Sequence, residues 1–261
     1  MNQKKSPKEP SIEIINLAVR AIQENNLEKL KYFVQEMINK YEKGSTSWLF
    51  LGIFYNLNNN LDESEKSILK SLSINPNYGE AHRIFADVLR KKNRPEDSLK
   101  HAKLAVQINP ESAAALDTLG TSFAKLNNHQ DAELNFLKAI KISPETAVIH
   151  NNLGNTQRHL GKHEESINSL KKAKILSPNF VEIYNNLSLS YFEKGDYQNA
   201  YETLKETENK DLLNDQNALD LFTSYGHICS KIYQFNNAKK YYKKALSLNK
   251  NFSSAHNGLA E

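Results

Sequence analysis

Apolar and small residues recur along this chain at helical spacing, and the pattern itself repeats every 34 residues. Setting starts at 45, 79, 113, 147 and 181, the eighth positions are Gly52, Ala86, Gly120, Gly154 and Ser188. The twentieth are Ser64, Ser98, Ala132, Ser166 and Ala200; the twenty-seventh are Ser71, Ala105, Ala139, Ala173 and Thr207. Small side chains at these places let two antiparallel helices approach closely, with Phe136, Leu170 and Leu204 filling the space beside them. The fifteenth positions, Asn59, Asn93, Asn127, Gly161 and Gly195, tolerate a left-handed backbone, so each ends a first helix and begins a turn. Prolines at 76, 110, 144 and 178 then close the second helices. Each 34-residue unit is thus expected to be a helical hairpin.

Trp48-Leu49-Phe50-Leu51-Gly52-Ile53-Phe54-Tyr55 fits W-x₂-L-G-x₂-Y, and with the 34-residue period it resembles the tetratricopeptide (TPR) repeat family from about residue 11 onward. The resemblance implies an all-α fold, a right-handed superhelical TPR solenoid of antiparallel helix pairs. Expected boundaries are a disordered tail over 1–10 and a degenerate capping repeat over 11–44. Six repeats follow at 45–78, 79–112, 113–146, 147–180, 181–218 and 219–252. The cap carries Leu17, Ala18, Ala21, Leu27, Leu30, Val34 and Met37 at helical spacing. The register slips by four after residue 181, and Glu206–Asn217 is expected to be a longer interhelical loop. Residues 253–261 start a further first helix with His256, Leu259 and Ala260 at core positions. An unfinished pair predicts an unpartnered C-terminal face, open to self-association, or a chain that continues.

In TPR arrays the first helices line the concave side. At 100° per residue, His150, Leu153, Gly154 and Gln157 share the packing face. Asn151, Asn152 and Asn155 are expected to point into the groove with Arg158 at its edge, as are Asn185 and Asn186 one repeat later. Thr118 and Lys125 occupy the same directions upstream. An amide offers an acceptor and a donor together and can hold an extended peptide backbone. The pattern resembles the asparagine ladder of the TPR superhelix in O-GlcNAc transferases, matched at Asn152 and Asn186 only. An Asn- and Lys-rich composition accounts for exposed asparagines equally well. A carboxylate clamp does not fit, because Asn151, Asp220 and Ser224 stand where cations are needed.

Candidate chemistry is sparse. His159 and His163 have a metal-ligand interval, but Gly161 ends the helix between them and no third ligand is evident, so neither metal nor cofactor is expected. Cys229 reads as buried packing, and a lone cysteine forms no internal disulfide, which suits a reducing, cytoplasmic setting. The start MNQKKSPKEP has no apolar core and no apolar run is long enough to span a bilayer, so no membrane partner is expected. Net charge +4 with pI about 8.8 points away from nucleic acid as the main partner. The lysine runs at 171–172, 239–240 and 243–244 read as solvated second-helix faces. The expected function is a scaffold binding a protein or extended peptide, without catalysis. The alternative is the N-terminal arm of a larger transferase-type enzyme.

Overall fold

The computed structural model describes residues 9–209 and 215–260, and all regular structure among them is α-helix. The helices are α1 (Ile12–Gln23), α2 (Leu27–Tyr41), α3 (Ser45–Leu57), α4 (Leu61–Ile74), α5 (Gly79–Lys91), α6 (Pro95–Ile108) and α7 (Ala113–Lys125). They continue as α8 (His129–Ile142), α9 (Ala147–His159), α10 (His163–Leu176), α11 (Val181–Lys194), α12 (Tyr197–Asn209), α13 (Asp215–Lys231), α14 (Phe235–Leu248) and α15 (Ser253–Ala260). Within each unit odd and even neighbours pack as hairpins, as in α3 with α4, α5 with α6 and α9 with α10. The chain divides into two compact units, Met1–Asn128 and His129–Glu261.

The turns behave as the spacing predicts. Asn59, Asn93 and Asn127 have φ of 57°, 56° and 58°, and Gly161 and Gly195 have φ of 73° and 89°. Two more residues join the series, Asn25 at φ 51° and Tyr233 at φ 62°. An asparagine accepts this conformation at low cost; a tyrosine pays the full clash of its Cβ with the following carbonyl. The small eighth position is equally local in cause. A Cβ on Gly154 would lie 2.5 Å from Leu170 Cγ and 3.1 Å from the Ser166 carbonyl oxygen. Ser166 Oγ donates to the Gly154 carbonyl at 2.7 Å, and Ser64 repeats this with Gly52 at 2.8 Å. These two hairpins, α3–α4 and α9–α10, are each closed by one hydroxyl and one missing methyl.

In the first unit, Ala18, Ala21, Leu30, Val34 and Met37 pack with Phe50, while Leu49, Ile68, Phe85 and Leu89 centre a second cluster. Leu17, which shares their helical spacing, is 37% exposed. Glu9, assigned to the tail, instead receives the Ser45 and Thr46 backbone N–H groups at 2.7 and 3.0 Å and the Ser45 hydroxyl at 2.8 Å. It caps α3, whose own preceding Gly44 has no side chain to do so. Burial pushes the Glu9 carboxyl up, but these hydrogen bonds together hold it below its ordinary value. Residues 1–8 lie outside the described residues.

The second unit is centred on Leu170, Ile183, Leu187, Leu204, Tyr225 and Tyr242. The four-residue slip is not all loop. Residues 206–209 complete α12, and α13 starts at Asp215, making it 17 residues long against 14 for α11. The extra residues are absorbed partly by an added helical turn; 210–214 lie outside the described residues. The final helix forms as expected, but only Ala255 is buried in it. His256, Leu259 and Ala260, expected in the core, are exposed because no described helix covers them.

Candidate functional site

The candidate residues of the second unit sit on α9 and α11, which pack side by side. Two of them need correction. Asn151 is 1% exposed and Asn186 8%, so neither faces open space. Asn186 Nδ2 donates to Asn151 Oδ1 at 3.0 Å, and Asn151 Nδ2 donates to Glu182 Oε1 at 3.2 Å. The amides satisfy each other between neighbouring first helices, which is what lets two polar side chains be buried there. Asn185 does the same one step on, accepting from Ser224 Oγ at 2.9 Å. The fifth position of one repeat thus bonds the sixth position of the next.

The same step recurs two helical turns further along. Arg158 forms an ion pair with Glu193, and in the first unit Lys91 Nζ donates to Asn56 Oδ1 at 2.8 Å. Both link the twelfth position of one repeat to the thirteenth of the next. Arg158 Nη2 also donates to Asn155 Oδ1 at 3.0 Å. Its charge is therefore already engaged, and any acidic ligand there must compete with Glu193. Asn152, Asn155 and Asn185 are half-buried. Thr118 and Lys125 belong to the first unit: Thr118 is 4% exposed and Lys125 is exposed at the end of α7.

A further series of contacts lies outside the groove candidates. Trp48 Nε1 donates to the Glu42 carbonyl at 2.6 Å and Tyr184 OH to the Pro178 carbonyl at 2.7 Å. His82, His150 and His256 reach the Pro76, Pro144 and Lys250 carbonyls through Nε2 at 2.9, 2.8 and 2.8 Å. Each is the fourth residue of its repeat bonding a carbonyl six residues earlier. The signal in the sequence is a donor-bearing ring recurring at one position, whatever its identity.

His159 stacks on His129 with centroids 4.8 Å apart, and burial followed by the neighbouring Arg158 charge lowers its pKa. His163 Nδ1 lies 3.9 Å from Glu193. Among the described residues no group of three or more His, Cys, Asp or Glu is placed to hold a metal ion. Cys229 is fully buried, and burial pushes its thiol up to about 11, far from a reactive thiolate. Among the described residues no helix is long and apolar enough to cross a membrane.

Residues 45–78, 113–146 and 219–252 match a family model described as tetratricopeptide repeat, and residues 155–195 match one described as TPR repeat. A chain of the crystal structure of the APC/C hetero-tetramer Cut9–Hcn1 superposes with TM-score 0.80 at 17% identity, covering 99% of this chain. This chain spans 49%, about half, of that one. A tetratricopeptide repeat protein from Parabacteroides merdae gives TM-score 0.69 at 18% identity, covering 95% of this chain and 96% of its own. PilW, described as a widely conserved type IV pilus biogenesis factor, gives 0.73 at 18%, covering 83% and 98%. At these identities the likeness is one of fold. No curated protein matches this sequence.

Proposed function

The chain is an array of tetratricopeptide repeats, and from that premise we propose that it is a scaffold that binds a protein or extended peptide and does no chemistry of its own. The observation that carries this reading is the surface of α9 and α11. The buried Asn151–Asn186 pair sets the spacing of the two helices, and the half-buried amides of Asn152, Asn155 and Asn185 lie beside it. Fixed helices presenting partly exposed amides can match the donors and acceptors of an extended backbone with little ordering cost. Arg158 acts as a conditional partner for an acidic side chain, released from Glu193 when one arrives. Structural neighbours that assemble with other proteins, such as the hetero-tetramer named above, accord with a scaffold role. A cytoplasmic setting belongs to the same reading, on the strength of the lone buried Cys229.

The test uses peptides selected on the full chain by display, with affinity measured on Asn152→Ala/Asn155→Ala. Two neutral hydrogen bonds contribute about 1–3 kcal/mol together, so binding should weaken by roughly five- to a hundredfold. Asn186 is left intact because its loss would disturb packing. Unchanged affinity in the double variant overturns the proposal.

A further inference from the structure

Positive charge is concentrated at one end of this sequence. Residues 218–260 hold six lysines and a single acid, Asp220, a local charge of +5 in a chain whose total is +4. The rest of the chain therefore sums to −1. Four of those lysines, Lys239, Lys240, Lys243 and Lys244, lie within two turns of α14, and α14 contains no acidic residue. Every other second helix carries at least one acid, and some of their lysines are paired with a carboxylate: Lys66 with Glu63, Lys100 with Asp97, Lys174 with Glu206. Among the described residues Lys244 is the one α14 lysine with a carboxylate nearby, Glu208 at 3.8 Å, and that carboxylate also accepts from Tyr241 at 3.2 Å. Lys239, Lys240 and Lys243 are exposed and have no carboxylate partner among the described residues. Like charges three and four residues apart repel along a helix, and a bound anion would relieve that repulsion.

Two exposed aromatics adjoin the stripe. Tyr233 is 81% exposed and Phe235 63%, with rings in edge contact at 6.2 Å. Tyr233 holds the left-handed turn conformation that Asn or Gly occupies in every preceding repeat. Asparagine would hold this turn at lower backbone cost than a tyrosine. Asn236, Lys239, Lys240, Lys243, Lys244 and Ser247 line a shallow depression of about 570 Å³ on the same helix.

We propose that this face of α14 is a docking surface for an acidic polypeptide segment whose carboxylates lie over Lys239, Lys240 and Lys243 while an apolar residue rests on Tyr233 and Phe235. The inference rests on the scaffold reading but uses a second-helix face, separate from the amides of α9 and α11. An acidic segment complements the charge of the stripe. A membrane matches it less well: the apolar side of α14, Ala238, Tyr241, Tyr242 and Ala245, is buried in the second unit and has nothing to insert.

The experiment is fluorescence anisotropy on the full chain with a labelled glutamate-rich peptide carrying leucines, and with its glutamine counterpart. The glutamate peptide should bind, weaken as salt rises, and lose about tenfold or more in Lys239→Gln/Lys240→Gln/Lys243→Gln. Lys66→Gln/Lys100→Gln, on other second helices, should bind as the native chain does. Equal binding by the triple variant, or equal binding of the glutamine peptide, overturns the proposal, as does preferential sedimentation with phosphatidylglycerol vesicles. If Asn152→Ala/Asn155→Ala abolishes glutamate-peptide binding while the lysine variant keeps it, this inference fails and the α9–α11 reading stands.

Discussion

Replacing Asn186 by alanine removes the donor to Asn151 Oδ1 and leaves that oxygen in a residue only 1% exposed. A buried polar group stripped of its partner costs about 1–3 kcal/mol, because the desolvation is no longer repaid. Removing Asn151 instead orphans Asn186 Nδ2 and deprives Glu182 of its donor at 3.2 Å, at similar cost. Removing both takes away donor and acceptor together, so the double variant should be less destabilised than the two single variants summed. The coupling should be about 1 kcal/mol or more. In a repeat array the loss falls on the interface between two neighbouring repeats, so it is local. Urea unfolding of the four proteins of the cycle gives the coupling, and amide hydrogen exchange should show faster opening of α9 and α11 with α3 and α4 unaffected. Additivity within about 0.3 kcal/mol, or a neutral Asn186→Ala, refutes the claim that the pair is a packed inter-repeat contact.

Gly154→Ala should destabilise by about 1–3 kcal/mol through overpacking, since its methyl would meet Leu170 Cγ at 2.5 Å; thermal unfolding checks it, and an unchanged midpoint would sink the close-approach argument. Tyr233→Asn should stabilise the fold by about 1 kcal/mol, because asparagine tolerates φ of 62° better than tyrosine does; chemical denaturation decides, and a loss would mean that Tyr233 makes a stabilising contact. Burial, and then the nearby His82, lower His101 to about 4, with its Nδ1 2.8 Å from His82 Nδ1. The unfolded chain, with histidine near 6.5, binds the extra proton between these values. Stability is therefore fully present above about pH 6.5 and falls as pH drops toward 4, and His101→Gln should flatten that part of a denaturation-versus-pH curve. An unaltered profile would remove His101 as its cause.

The close helix approach and most of the turns within each hairpin were legible in the sequence, though the left-handed Tyr233 was not. Small residues at the eighth, twentieth and twenty-seventh positions, Asn or Gly at the fifteenth and Pro at the close act through steric and backbone preferences a few residues long. They specify helix pairs and turns before any long-range contact forms. A helical wheel likewise sorts Leu153 from Asn152 because both belong to one rigid helix. It cannot say what stands opposite. Asn151 and Asn186 sit on the side away from their own hairpins' packing faces, yet each is buried, because the neighbouring first helix brings the other amide to it 35 residues away. Arg158 and Glu193 meet by the same step, and Glu9 closes α3 across an intervening hairpin. Charge and polarity along the chain declare that a side chain wants a partner. Only the packing of successive hairpins decides whether that partner is the next repeat or remains to be supplied by another molecule.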